Sequence, residues 1–505
     1  MLHIAPYAGP LPAQSTGVSL VPDGASIRRR RRAGPTPGHQ ASPDGWERRA
    51  APHREPLDAG SRMWLGYRHA IVPAVVEFEG PVTREHVLDL VYERLLAMPR
   101  FSQRLVPSRF GGAWEEVPDF DPRDHVRAVT LPSPGTYDDE RALLGSLYHR
   151  PQDATRPLWD MAVVEREGRG SLLLVRIHHA LSDGMGLVDA ALRCADGRPA
   201  DLLPTPPSRP PRAATLAAAA HTAWGAGWGF ARTALDLVTR RPDPPSCIKR
   251  GEDPERMSFA WLREPWRLDD LKAVADRLGG GTVNDVLLTV LTGALRAHLR
   301  AQGEPVDVMQ LHCELPIYLP ARRARGEAAL GNHIGAARCV LPVDEADPRA
   351  AFAAVRACML GVKRGFEPTL LALLMRLLGC VPARLGSALR RYGSQQVSAF
   401  VSNVYGPPRP VSLTGHAVAD LRWLGGQGDN VGVFVAVISY GEHLNVGISS
   451  DAAVVPDAQV LIDRMAEAYA PLRQGLASCG DAVSAQPGDP ARVEGPAGAP
   501  DMHAR

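Results

Sequence analysis

Two kinds of apolar spacing alternate along the chain. Met161–Val164 and Ser171–His179 are apolar, β-branched-rich runs separated by the polar stretch EREGRG, which predicts a β-hairpin. Val431–Ser439 and His443–Ile448 form a second pair of apolar runs around Tyr440–Glu442, read as buried strands joined by a turn. Other segments repeat at helical spacing. Arg84–Leu96 is one. Thr282–Leu299 is another, with Thr282 placed to cap it and Val283, Leu287, Val290, Ala294 and His298 on one face. Strands and helices mixed in this way predict an α/β (α+β) fold.

The pattern breaks in four places, and the breaks divide the chain. Residues 1–55 are rich in Pro, Gly, Ser and Arg without apolar periodicity and are expected to be a disordered basic tail. Residues 204–255 hold the stiff segment PTPPSRPPR and a second break at Pro242–Pro245. Between them Leu216, Ala220, Trp224, Trp228, Ala231 and Leu235 fall at helical spacing, which predicts a linker with a crossing helix. Residues 479–505 are read as a second tail. Two bodies remain, 56–203 and 256–478.

Composition narrows the classes. The 505 residues are 45% hydrophobic and 22% charged, so a collagen-like, wholly disordered or polytopic membrane chain is excluded. At roughly 100–200 residues per domain, this length implies two or three domains. A formal net charge of +2 gives no global argument for nucleic-acid binding. The run Arg28–Arg32 is read as part of a solvated tail, with binding to anionic lipid or RNA as the alternative. The start MLHIAPYAGPLPAQ has no basic region followed by an apolar core, so no secretory signal is expected, and no transmembrane helix is read. Seven scattered cysteines without a CxxC pair suggest neither a disulfide framework nor a metal site, and a cytoplasmic location is expected.

The segment richest in chemistry is IHHALSDGMG, residues 177–186. An apolar strand ends in His178 and His179. Asp183 and Gly184 follow, and a new helix is expected near Leu187. Successive strand residues point to opposite faces, so the two histidines are expected to differ, one structural and one facing substrate. A neutral imidazole is well matched to taking a proton from a hydroxyl at neutral pH. Asp183 is expected to fold back and fix the loop, through backbone N–H groups or a basic partner, and Gly184 to supply a turn with positive φ. Asn284 and Asp285 open a helix, where capping is the structural alternative to a place in the site. Ser402 and Asn403 precede a Gly-Pro-Pro turn, where a polar pair either lines a cleft or ends a strand. Trp159 is expected in the core.

The string HHALSDG resembles the HHxxxDG motif of coenzyme A-dependent acyltransferases with the chloramphenicol acetyltransferase-like fold. Further segments resemble bacterial wax ester synthase/diacylglycerol acyltransferases: PLDA at 56–59, RPLWD at 156–160, TVNDVL at 282–287, LGN at 330–332 and SNVYGP at 402–407. A late pattern runs through Ser439, Tyr440, Gly447 and Asp451. Two features depart from that family. Tyr405 stands where the family often has Pro, and the usual PVSxR region reads LPIYLPAR at 315–322.

The resemblance implies two chloramphenicol acetyltransferase-like sandwich domains joined by a helical linker, with a tunnel between them. It implies His179 as general base, His178, Asp183 and Gly184 as loop structure, and Asn284, Asp285, Ser402 and Asn403 as substrate-binding or site-shaping residues. No metal and no cofactor is implied; acyl-CoA is a co-substrate, and Arg322 and Arg323 are only candidates for its phosphates. The partners implied are acyl-CoA and a diacylglycerol or long-chain alcohol. A cytoplasmic enzyme is expected, with peripheral contact to the inner membrane or lipid droplets. For such contact the segment Thr369–Val381, with Arg376 inside it, is balanced between an interfacial and a buried helix, whereas the Trp224/Trp228 face is read as buried. The rivals are a condensation-type or polyketide-ester acyltransferase with a carrier-bound donor, and a non-catalytic lipid-binding or droplet protein.

Overall fold

The computed structural model describes residues 54–66, 70–108, 111–131, 134–150, 152–197, 229–249, 256–319, 330–381, 383–426 and 431–483. The run Arg28–Arg32, the segment PTPPSRPPR, the Trp224/Trp228 face and Arg322 and Arg323 lie outside them.

Among the described residues two large sheets carry the fold. The first has six strands in the order Ser412–Leu413, His416–Trp423, Ile71–Phe78, Leu172–His178, Trp159–Glu165, Val126–Thr130. The expected hairpin is present, with Trp159–Glu165 antiparallel to Leu172–His178. The second sheet has seven strands. Its main path runs Ile334–Leu341, Leu311–Tyr318, Ala399–Val404, Val433–Tyr440, His443–Asp451, Met257–Trp261, and Trp266–Arg267 pairs with His443–Asp451 off that path. A small three-stranded sheet joins Arg54–Pro56 to Gly111–Glu116 and Gln103–Ser108.

The strand that leads to the histidines is apolar on both faces because both are covered. Leu173, Val175 and Ile177 pack with Val87 and Val91 of the helix Arg84–Glu93. Leu172 and Leu174 pack with Leu143, Leu144 and Leu147 of the helix Tyr137–Tyr148. Arg176 is a buried charge in this strand, and it is held accordingly. Its guanidinium pairs with Asp160 at 2.6 Å and donates to the carbonyls of Tyr148 and Arg150 at 3.0 and 2.8 Å.

The division of the chain near 204–255 does not assign one sheet to each half. Residues 412–423 leave the second half and extend the first sheet, where His416–Trp423 runs antiparallel to Ile71–Phe78. The cores also interlock. Leu187, Val188 and Leu192 of the first body share a cluster with Val404, Trp423, Ala436 and Ile438 of the second. Tyr137 Oη donates to the Trp261 carbonyl at 2.7 Å. At roughly 1.5–3 kcal/mol for each large apolar side chain buried, such clusters hold the bodies in one arrangement. Two expected boundaries shift: the strand Arg54–Pro56 begins before residue 56, and the last helix, Gln459–Val483, runs past Cys479.

Candidate active site

The strand Leu172–His178 ends where its ladder partners end. His178 N donates to the Leu158 carbonyl at 3.0 Å, and His179 N donates to the Ala70 carbonyl at 2.6 Å. A tight turn follows, closed by Leu181 N on the His178 carbonyl at 2.9 Å. Asp183 then caps the helix Gly184–Cys194, which starts before the expected Leu187, and accepts from Gly186 N at 2.9 Å.

Asp183 is 1% exposed, and its second carboxylate oxygen accepts from His333 N at 2.8 Å. Its own N–H donates to the Gly331 carbonyl at 3.1 Å, and Ser182 Oγ donates to the same carbonyl at 3.2 Å. The carboxylate thus fixes the loop through backbone N–H groups, one local and one from the other half of the chain. The left-handed glycine of the site is Gly331, with φ +111°, in the LGN segment. Gly184 was expected to take that conformation and does not. A Cβ on Gly184 would sit 3.0 Å from Val404 Cγ2 and 3.4 Å from a ring carbon of Trp423. Its small size therefore serves close packing between the bodies.

The two histidines are held in opposite ways. His178 Nδ1 accepts from Ala180 N at 3.1 Å, so a neutral His178 carries its proton on Nε2. The His179 ring stacks on the Trp64 indole, with centroids 3.8 Å apart and planes at 15°. Its Nδ1 lies 2.9 Å from Asn332 Oδ1. The amide orientation of Asn332 follows from its other neighbours. Trp64 Nε1 can only donate, and it meets Oδ1 at 3.1 Å. The His179 carbonyl can only accept, and Nδ2 meets it at 2.8 Å, with Ser61 Oγ at 2.9 Å from the same nitrogen. Oδ1 must therefore accept from Nδ1–H, and the lone pair of a neutral His179 is on Nε2. Burial pushes the pKa of both rings down to about 4, so both are neutral at physiological pH. By surface area His179 as a whole residue is half-buried.

Three distant segments meet here: 58–64, 178–184 and 330–333. Asp58 caps the helix Ala59–Arg62 by accepting from Ser61 N at 2.8 Å, and this places Ser61 against Asn332. Ser61, Trp64 and Asn332 are not among the residues expected from sequence. The available signal was that PLDA and LGN resembled family segments; nothing local tied either to His179.

The second set of expected residues forms a separate contact. Asn284 and Asn403 hydrogen-bond to each other, joining the helix Val283–Ala301 to the strand Ala399–Val404. Asp285 closes a capping box on Thr282, accepting from its N at 2.7 Å and its Oγ1 at 2.8 Å. Its other oxygen is buried with no hydrogen-bond partner among the described residues. Ser402 is partly exposed on the same strand as Asn403, with its backbone in register with Ala436. Trp159 is in the core as expected, 1% exposed, donating from Nε1 to the Phe101 carbonyl at 2.8 Å. Tyr405 is exposed. Among the described residues no group of His, Cys, Asp and Glu is arranged to hold a metal ion.

Residues 59–243 match the wax ester synthase/diacylglycerol acyltransferase catalytic domain, and residues 330–473 match the WS/DGAT C-terminal domain. The chain belongs to the wax ester synthase/diacylglycerol acyltransferase family. Both matches include site segments, since the first contains His178 to Gly184 and the second contains Asn332. Among curated relatives, a probable diacylglycerol O-acyltransferase of Mycobacterium tuberculosis, tgs1, is 29% identical over 430 residues, covering 79% of this chain and 90% of that protein. A second from the same species, tgs2, is 28% identical over 415 residues, covering 76% and 90%. Among solved structures, a wax ester synthase/diacylglycerol acyltransferase from Marinobacter aquaeolei VT8 superposes with a TM-score of 0.62 at 20% identity, covering 84% of this chain and all of that one. The first condensation domain of the CDA synthetase superposes at 0.56 with 17% identity, covering 83% and 96%. These two likenesses show a shared fold.

Proposed function

We propose that this protein is an acyl-CoA-dependent O-acyltransferase that forms triacylglycerol from diacylglycerol, with long-chain alcohols as second acceptors giving wax esters. The observation that carries the reading is the His179 ring, neutral and with its lone pair on Nε2. In this mechanism Nε2 takes the proton of the acceptor hydroxyl as its oxygen attacks the thioester carbonyl. The tetrahedral intermediate collapses, the C–S bond breaks, and the imidazolium returns the proton to the leaving thiolate. The products are an ester and free CoA, without a covalent acyl-enzyme. A positioned base of this kind supplies about 10²–10⁴-fold in rate. His178 and Asp183 hold the loop, while Asn284 and Asn403 stand as shaping residues between the bodies.

The relatives' names favour this activity over a carrier-dependent condensation reaction or a non-catalytic coat. The test is CoA release from palmitoyl-CoA with dioleoylglycerol. Turnover by the wild type that falls about 10³-fold in H179A is expected for the loss of a general base. Equal rates would remove His179 from the mechanism, and lipid binding without turnover would favour the coat.

An acceptor of this kind resides in lipid, and no helix among the described residues is long and apolar enough to cross a membrane. Exposure along the helix Glu367–Leu378 supports the interfacial reading of Thr369–Val381. Leu370 and Ala372 are buried, whereas Leu373 and Leu377 are 48% and 52% exposed. Its neighbours also expose apolar side chains: Leu235 and Val238 in the helix at 229–239, and Leu385 and Leu389 in the helix Ala383–Ser394. Asp236 and Glu367 on these helices both pair with Arg240, and Arg232, Arg376 and Arg391 on the same helices are exposed. An apolar face edged by arginine suits an anionic lipid surface on the cytoplasmic side. Gly379 packs on Ala59 and Arg62, so the face adjoins the segment that carries Ser61. L373D/L377D is expected to lose sedimentation with vesicles containing phosphatidylglycerol while still acylating a water-soluble alcohol. Unchanged sedimentation would reject the docking face.

A further inference from the structure

Beyond a histidine base, the site holds a device that decides which ring nitrogen can act as one. We propose that Asn332 is the positioning residue that holds His179 in its Nδ1–H form, so that docking of the second half of the chain on the first favours the form whose lone pair is on Nε2. The proposal rests on His179 being the base of the acyl transfer.

A free neutral imidazole distributes its proton over both nitrogens, and only one arrangement leaves Nε2 able to accept. Here Asn332 Oδ1 biases the choice, beside the His179 backbone carbonyl, which also interacts with the ring. Asn332 Oδ1 is 2.9 Å from Nδ1, and its identity as an acceptor is enforced by a donor on one side, Trp64 Nε1, and by an acceptor facing its Nδ2, the His179 carbonyl. Ser61 Oγ completes the cradle, and Asn332 is 4% exposed, so water does not compete for the amide. The stack on Trp64 fixes the ring plane in which Nδ1–H points at Oδ1.

Asn332 is separated from His179 by 153 residues and belongs to the part of the chain that builds the second sheet. Its position is set by the contacts that join the halves. Asp183 holds His333 N, and Ser182 and Asp183 hold the Gly331 carbonyl. Within the HHxxxDG loop the acceptor against the ring is the His179 backbone carbonyl, and Asn332 adds a second from the other half of the chain. Docking of the halves therefore brings the Asn332 acceptor onto the ring.

Two substitutions separate positioning from mere structure. N332L removes the acceptor and is expected to lower kcat about 10²–10³-fold with KM changed less than about twofold, the range of a lost general base. N332D keeps an acceptor on Nδ1–H and adds a negative charge beside the ring. It is expected to retain most of kcat and to move the acid limb of the pH profile upward by about 1–3 pH units. The other charged or titratable groups on the elements packed around the ring are His178, Asp183, Asp58, Arg62 and His333, and both variants leave all of them in place. W64F keeps a stacked ring and leaves the Asn332 acceptor, so its kcat is expected to stay within about threefold, the scale of one neutral hydrogen bond.

The form of the ring is read directly from ¹⁵N shifts of histidine-labelled full-length protein at pH 7. His125 is also an Nδ1–H histidine, since its Nδ1 lies 2.6 Å from the Trp159 carbonyl; the further Nδ1–H signal of His179 is assigned by its loss in H179A, and is expected in the wild type and N332D and replaced by the Nε2–H form in N332L. An N332L protein with wild-type kcat, pH profile and ring form overturns the proposal, and so does N332D with an unmoved acid limb. If no variant or wild type turns over acyl-CoA, the functional reading fails, yet the ¹⁵N measurement still decides whether Asn332 sets the ring form.

Discussion

Two polar constellations lie where the halves of the molecule meet, and they are built differently. Around His179, the side chains of Ser61, Trp64 and Asn332 converge on one ring, and Asp183 ties its loop to His333. Around Asn284, the side-chain bond among the described residues runs to Asn403, and the adjacent Asp285 spends its contacts on Thr282 at the start of its own helix. Both sets carry motif residues. In the first, the contacts orient one imidazole ring; in the second, they define a helix start and a joint between the helix Val283–Ala301 and the strand Ala399–Val404. A polar motif at an interface becomes chemical when its bonds are spent on orienting one titratable atom.

The comparison is sharpened by substitutions on each side. The largest effect is expected from D183A, which removes two charge-assisted bonds at a buried site and orphans two backbone donors. It should cost about 3 kcal/mol of stability and most of the activity, as read by denaturant unfolding and CoA release. D285A removes a capping box and should cost about 1–2 kcal/mol, with turnover largely kept. If D285A abolishes turnover at unchanged stability, the second constellation is catalytic and the contrast fails.

Glycines give a finer version of the same comparison. G331A places a side chain at φ +111° and should cost about 1–2 kcal/mol. G184A asks only that Val404 and Trp423 give way by a few tenths of an ångström, and its cost should be near or below about 1 kcal/mol. The reverse order in melting experiments would mean that the strained position of the site is Gly184. The smallest effect is expected from N284A, which breaks one neutral hydrogen bond worth about 1 kcal/mol, about a fivefold change in kcat/KM at most.

The legible part of this architecture is local. Apolar runs placed the hairpin that ends in His178, and Thr282 placed the start of its helix, because periodicity and capping act over a few residues. Asp183 was legible as a loop anchor for the same reason. What escaped depends on contacts across the chain. His416–Trp423 joins a sheet built mostly from the first half, and nothing in its own spacing names that partner. Asn332 looks like any polar residue in a Gly-containing turn until the fold sets its oxygen on His179. Gly184 was misread because glycine serves both backbone freedom and close approach, and only the neighbours Val404 and Trp423 distinguish the two.

The central claim is that a neutral His179, held at a pKa of about 4 by burial, is the proton acceptor of the reaction. Its most direct test is the pH dependence of kcat/KM for palmitoyl-CoA with saturating acceptor. The acid form of the ring cannot act as a base, so activity should persist through pH 6 and fall with an apparent pKa near 4. An acid limb near 6.5, the value of an ordinary histidine, would contradict the account.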